Sequence, residues 1–531
     1  MEVMRRRIRG AFALKAVLTL ALVALGDVLF FQNGLFGGTF GLYGLAILAA
    51  LALARPEVIG QWRAATALGM AALYALAMAY SASPLAWLLF WIAAGLATLL
   101  PRTYGFDDGW RWFQRLVFHG LVALLGPIPD ILRRAKVRAQ RGLGQGGVRR
   151  IVPVVILPLV GTLVFVALFS AANPVIEHWL ASLSLPQVDE RTFLRAILWL
   201  VLVWLAWGVM RPHLPPFLFA TFDGRGEAYI PGVTPQSVLL SLVAFNALFL
   251  VQNAMDAAWL WGLLPLPEGM TLAEYAHRGA YPLVVTALLA AMFVLVALRP
   301  GSATANLAPV RALVALWITQ NLFLVFNAAL RTVDYVEAYS LTVLRIAALL
   351  WMGLVALGLV LVLWRILANK SAAWLINANL ASAGLLLTAL CFVDLGAIAA
   401  QWNVRRAREI DGTGATLDLC YLNALGGSAL LPLIELEQRD LPADLTRRVH
   451  NVRLSVHRRL QTNMLEGGWD WLGKRRLDAA KRLVGESVAP PAGEADFDCN
   501  GRPIVYPAPQ PTYGADLPEA PAPELTVEEQ G

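Results

Sequence analysis

NALFLVQNAMDAAWLW, from Asn246 to Trp261, is an apolar stretch interrupted by four polar side chains, Asn246, Gln252, Asn253 and Asp256. At 100° per residue these four fall within an arc of roughly 120° on one helix face. Hydrocarbon solvates amides and carboxylates poorly, so such a helix turns its polar face toward protein or a water-filled cavity. The stretch therefore reads as part of a membrane-crossing helix with a single polar face. A short loop follows, Glu274-Tyr275-Ala276-His277-Arg278-Gly279, before the next apolar run begins.

The rest of the chain fits that reading. Of its 531 residues 58% are hydrophobic, and the mean hydropathy is +0.60. Only 15% are charged, against roughly 25% in soluble domains. The apolar residues come in long runs without strand-like alternation, which predicts an all-α polytopic integral membrane protein. About eleven spans are expected, at residues 11–31, 39–54, 64–80, 84–100, 151–172, 193–210, 237–262, 280–298, 310–330, 341–366 and 376–400. The net charge of +7 comes mostly from loops between spans, the positive-inside pattern, and argues against a nucleic-acid partner.

Arg5-Arg6-Arg7 before the first span place the N-terminus in the cytoplasm of a bacterial inner membrane. That first apolar run is too long for a cleavable signal core. An odd number of spans then puts the C-terminal part in the periplasm. Arg405, Arg406 and Arg408, just after the eleventh span, run against the charge rule. They are outweighed by Arg133, Arg134, Lys136, Arg138, Arg141, Arg149 and Arg150, which a further crossing near Trp110–Leu132 would carry outside. The chain accordingly divides into a four-span region (1–109), a basic cytoplasmic loop with an interfacial helix (110–150), a seven-span core (151–400), an extramembrane helical domain (401–485) and a Pro- and acid-rich disordered tail (486–531).

The ionisable residues are unevenly placed. At 1.5 Å per residue, Asp27, Asp256 and Asp394 fall roughly 10 Å outside the midplane and Arg345 about 12 Å. Gln320, Asn327 and Arg331 share a stripe on the ninth span, with Asp334, Tyr335 and Glu337 beyond its outer end. Lys15 is the exception in the inner half, where it can snorkel to the interface. The candidate substrate-binding set is Asn253, Asp256, His277, Arg278, Asn327, Arg331, Arg345 and Asp394. The plainer reading pairs Asp256 or Asp394 with Arg331 or Arg345 to fix helix register.

His277 is a weak catalytic candidate: if its loop is helical, Glu274 shares its face and can orient the imidazole. No His or Cys spacing suits a metal, and no cofactor is expected. His450 and His457 read as surface residues of a basic helix that also carries Arg447, Arg448, Arg453, Arg458 and Arg459. Cys391 lies in a span. Cys420 and Cys499 lie outside it, and the reading favours two unpaired thiols, with a disulfide open to them in a periplasm. The tryptophans are interface anchors or packing residues.

Several of these residues carry a resemblance. Asn253-Ala254-Met255-Asp256, Tyr275-Ala276-His277-Arg278-Gly279, Asn327 with Arg331, and Tyr339-Ser340-Leu341-Thr342 with Arg345 resemble a bacterial multi-spanning family catalogued as domain of unknown function 4173, related to group 4153. Leu417-Asp418-Leu419-Cys420-Tyr421-Leu422 is similar to that family's tail. The likeness covers about residues 150–440, and the four N-terminal spans depart from it. It implies an inner-membrane protein and supplies no catalytic assignment.

Three function classes follow. The first is a protein that binds or transports a small molecule or lipid head group through a polar cavity in its outer half. The second is a membrane-embedded enzyme acting on a lipid-linked or envelope substrate. The third is an envelope scaffold or sensor whose C-terminal domain recruits a partner. No inverted repeat supports ordinary secondary transport, and no nucleotide motif supports an enzyme. Binding or transport leads.

Overall fold

The structure, a computed structural model, describes residues 2–128 except Tyr104, 189–220, 234–260 and 307–485 except Thr413, with isolated positions elsewhere such as Asp130, Phe293 and Cys499. Apart from such positions, the expected fifth and eighth spans, the segment holding Glu177 and His178, the loop holding His277 and Arg278, and the tail from 486 onward lie outside the described residues.

Among the described residues every regular element is helical. Eight helices are long and apolar enough to cross a membrane. They are α1 (Glu2–Gly26, continued by a π-helical turn over Asp27–Gln32), α3 (Trp62–Tyr80), α4 (Pro84–Leu99), α6 (Glu190–Met210), α7 (Pro235–Leu260), α8 (Ala308–Tyr339), α9 (Val343–Leu367) and α10 (Ala372–Leu390). The second predicted span is the shorter apolar α2 (Thr39–Ala54). Between α4 and α6 lies α5 (Gly109–Ala123).

Local sequence sets several starts. Ser83 accepts a bond from Ala86 N at the head of α4, with Pro84 in the first turn, where its missing N–H costs nothing. Thr342 and Ser371 cap α9 and α10 in the same way. Small residues set the closest approach. A Cβ on Gly41 of α2 would stand 2.2 Å from the Ala75 carbonyl oxygen of α3, so only glycine permits that contact.

The eleventh span differs from expectation. α10 stops at Leu390, and a new helix, α11 (Leu395–Arg406), begins with Asp394 as its N-cap. Apolar side chains continue through Phe392 and Val393, so hydropathy does not register the break. Asp394 therefore lies past the end of a membrane helix and not at depth within one. Arg405 and Arg406 are consequently remote from the end of α10; Arg405 faces Glu435 at 3.5 Å.

Beyond α11 come α12 (Leu419–Ala424), α13 (Leu430–Glu437), α14 (Ala443–Leu465) and α15 (Trp471–Val484). They close around Leu422, Leu430, Leu433, Val449, Val456 and Ala480. Two side chains expected on the surface are inside: His457 and Arg453 are both buried, Arg453 against Glu437. The spacing that puts Val449, Val452 and Val456 on the core face also carries Arg453 and His457 there. Cys420 and Cys499 are joined in a disulfide, which corrects the expectation of free thiols.

This domain packs on one end of the membrane helices. Phe36 N bonds the Gly467 carbonyl at 2.6 Å and Gly38 N that of Trp469 at 2.5 Å. The rings of Tyr80 and Trp471 meet at 5.4 Å, tilted by 38°. Asn403 grips Leu341, accepting from its N–H at 2.7 Å and donating to its carbonyl at 2.8 Å. The α1–α2, α3–α4 and α8–α9 turns therefore share the domain's side. Arg55, Arg102, Arg211 and Arg365 mark the opposite end. There α5 joins the ends of other helices without crossing: Gly109 N bonds Asn377 of α10, and Asp130 pairs with Arg211.

Candidate functional site

α7 and α8 run parallel, because partners advance together along both. Asn246 Nδ2 donates to the Leu313 carbonyl at 3.0 Å, Asn253 Nδ2 to that of Gln320 at 3.1 Å, and Asp256 meets Arg331. On α8 the buried positions Val310, Val314, Trp317, Asn321, Leu324, Ala328 and Arg331 follow alternating steps of four and three, the spacing of a coiled-coil seam.

The seam is apolar at one end and polar at the other. Leu242, Val310 and Val314 pack beside Trp317, whose ring lies 5.2 Å from Phe245, 5.7 Å from Phe249 and 5.7 Å from Phe293. Above this aromatic floor Gln320 Nε2 donates to Asn246 Oδ1 at 2.9 Å. Further toward the domain, Arg331 Nη2 lies 2.5 Å from Asp256 Oδ2, with both side chains less than a tenth exposed. Gln252, on the exposed flank, donates to Asp256 Oδ1 at 3.0 Å.

Among the described residues several amide atoms of the seam find no hydrogen-bond partner. Asn327 is fully buried, and neither its Nδ2 nor its Oδ1 has a partner. The Oδ1 atoms of Asn253 and Asn321 and Oε1 of Gln320 are likewise unpaired. An unsatisfied buried amide costs on the order of 1–3 kcal/mol, so their concentration here is unusual.

The structure thus brings together Asn253, Asp256, Asn327 and Arg331 from the predicted set. Asn321 was missed, although the heptad through Val314 and Arg331 marks it. Arg345 stands apart: its guanidinium donates to the Tyr339 carbonyl at 2.6 Å and to that of Ser340, and lies 4.1 Å over the Tyr335 ring. It satisfies carbonyls that the end of α8 leaves free. Asp394 also stands apart, accepting from Ala397 N and Ser428 Oγ and pairing with Arg476 of α15. α8 continues past Arg331 to Tyr339, where a polar cavity of about 390 Å³ is lined by Glu337, Ser340, Trp402, Asn403 and Arg406. No cluster of metal-ligating side chains occurs among the described residues.

The polar seam and the domain above it lie within one match to a known family. The model of domain of unknown function 4153 matches residues 64–436. The chain belongs to this family. The type of family is the one expected, although the group matched is 4153 and not 4173. The 4153 domain also begins earlier than the resemblance suggested, taking in α3 and α4 and ending within α13. No curated protein and no solved structure matches the chain.

Proposed function

We propose that this 4153-family protein binds, and in doing so carries or senses, a small polar molecule or lipid head group at the α7–α8 seam. Asn327 carries the reading: a fully buried amide with both polar atoms unpaired, one turn from Arg331, offers a ligand a donor and an acceptor. Asp256 and Arg331 add one charge of each sign, and Asn253 adds an acceptor. The aromatic floor around Trp317 limits access from below, which favours entry from the domain's side.

The reading places the N-terminus in the cytoplasm of a bacterial inner membrane and the C-terminal domain in the periplasm. The Cys420–Cys499 disulfide supports this, since such bonds persist in oxidising compartments. A purely structural role has an observation of its own: Asp256 and Arg331 are a closed, buried ion pair.

Native mass spectrometry of the full-length protein beside Asp256→Asn separates the two. A discrete ligand on the wild type and absent from a folded variant supports binding. No ligand on either, with the variant only less stable, leaves a register-fixing pair.

A further inference from the structure

A second site lies at the opposite end of the molecule and is independent of the α7–α8 seam. Lys15 of α1 was expected to snorkel, yet it is only 9% exposed, and its ammonium has no hydrogen-bond or ion-pair partner among the described residues. The charges acting on it are Arg211, Arg55, Glu57 and Arg102. Arg55 is held by Glu57, at 2.8 Å, and by the carbonyl and hydroxyl of Thr98, at 2.6 and 2.7 Å. Arg211 pairs with Asp130. Among the described residues four cations thus face two carboxylates: Arg102 reaches the Pro212 carbonyl at 3.4 Å, and Lys15 is left without a carboxylate.

This basic cluster adjoins an apolar groove. Between α4, α5 and α6 runs a cleft of about 290 Å³, lined by Leu88, Trp91, Leu116, His119, Trp204 and Gly208. Leu88 is about half exposed and Trp204 about a third, so the cleft opens sideways, toward where acyl chains would lie. Its lower end meets the cluster directly. Thr98, which holds Arg55, donates to the carbonyl of Val209 at 2.6 Å, and Val209 lines the cleft.

We infer that this end of the molecule binds an anionic diacyl phospholipid, with an acyl chain in the α4–α5–α6 groove and its phosphate on Lys15, Arg102 and Arg211. Charge complementarity selects the occupant. A zwitterionic lipid brings its own cation to a cluster that already has an excess, whereas an anionic one neutralises it. Basic pockets between membrane helices beside apolar surface are suited to such head groups.

The test is native mass spectrometry of the full-length protein in mild detergent, titrated separately with phosphatidylglycerol, phosphatidylcholine and inorganic phosphate. The wild type is expected to hold phosphatidylglycerol about five- to thirtyfold more tightly than phosphatidylcholine, the effect of one to two cations near a phosphate. Lys15→Met, close to isosteric and free of an unpaired charge, is expected to fold and lose most of that preference, and Lys15→Arg to keep it. Gly120→Leu, at a groove position where an added Cβ meets nothing within 4 Å, fills the groove and is expected to weaken both lipids. Equal binding of the two lipids by the wild type, a preference unchanged in Lys15→Met, or phosphate alone competing as well as the lipid would each overturn the assignment.

Discussion

Asn327 and Asp256 belong to the same seam but respond oppositely to substitution. Asn327→Leu removes two unsatisfied atoms from a fully buried position. The ligand-free variant is expected to gain about 1–3 kcal/mol, read as a higher melting temperature in detergent, while losing any ligand-induced shift. Asp256→Asn leaves Arg331 buried against a neutral amide and is expected to cost about 3–5 kcal/mol, most of it recovered in Asp256→Leu/Arg331→Met. A melting temperature that falls in Asn327→Leu would mean that the amide is satisfied in solution. His119, at the other end, supplies a pH dependence. Burial, with His213 and Arg55 nearby, holds its imidazole down at about 4, against about 6.5 for a free histidine. The unfolded chain therefore binds the proton first, and the contribution of His119 to stability is complete above pH 6.5 and lost as pH falls toward 4. Unfolding midpoints followed across that window are expected to drop in the wild type and to flatten in His119→Phe.

Among the elements, α8 and α11 depart most from simple hydropathy. α8 has 32 residues, about 48 Å at 1.5 Å per residue and longer than a hydrocarbon core of roughly 30 Å. Its last turns reach the domain, where Arg345 closes its carbonyl end. Asn403 of α11 then holds the following turn through both groups of Leu341. Asn403→Ala leaves a buried N–H and a carbonyl without partners, at about 1–3 kcal/mol each. It is expected to lower the melting temperature and to speed proteolysis within residues 407–416, with Asn403→Asp losing only the donated bond. The seam of α7 and α8 was legible in advance because its polar residues recur at helical spacing. The break at Cys391–Val393 was not, because a chain can stay apolar while leaving a helix. Only the capping role of Asp394 reveals it.

For the whole molecule the decisive relation is between the domain and the membrane helices. The turns it covers share one end, and Arg55, Arg102, Arg211 and Arg365 share the other. If the domain lies in an oxidising compartment, as proposed, Cys420 and Cys499 are expected to resist maleimide in intact cells until a reductant is added. Because this bond closes a separation of 79 residues, Cys420→Ser is expected to destabilise the domain by roughly 2–4 kcal/mol. Rapid labelling without reductant would place the domain in the cytoplasm and remove the support for a periplasmic mouth.

The sequence alone determined the class of fold, because long apolar runs and sparse charge admit few solutions but membrane helices. It also placed Asn253 and Asp256 on one polar helix face and Asn327 and Arg331 on the stripe of another, since helical periodicity places side chains on faces without reference to a partner. Pairing was another matter. That Asp256 meets Arg331, that Arg345 serves a helix end, that Asp394 belongs to the domain and that Lys15 is enclosed among arginines depend on which helices become neighbours. Such contacts join residues far apart in the chain, and the local pattern around each residue is the same whichever partner it finds. Tertiary packing alone selects among them.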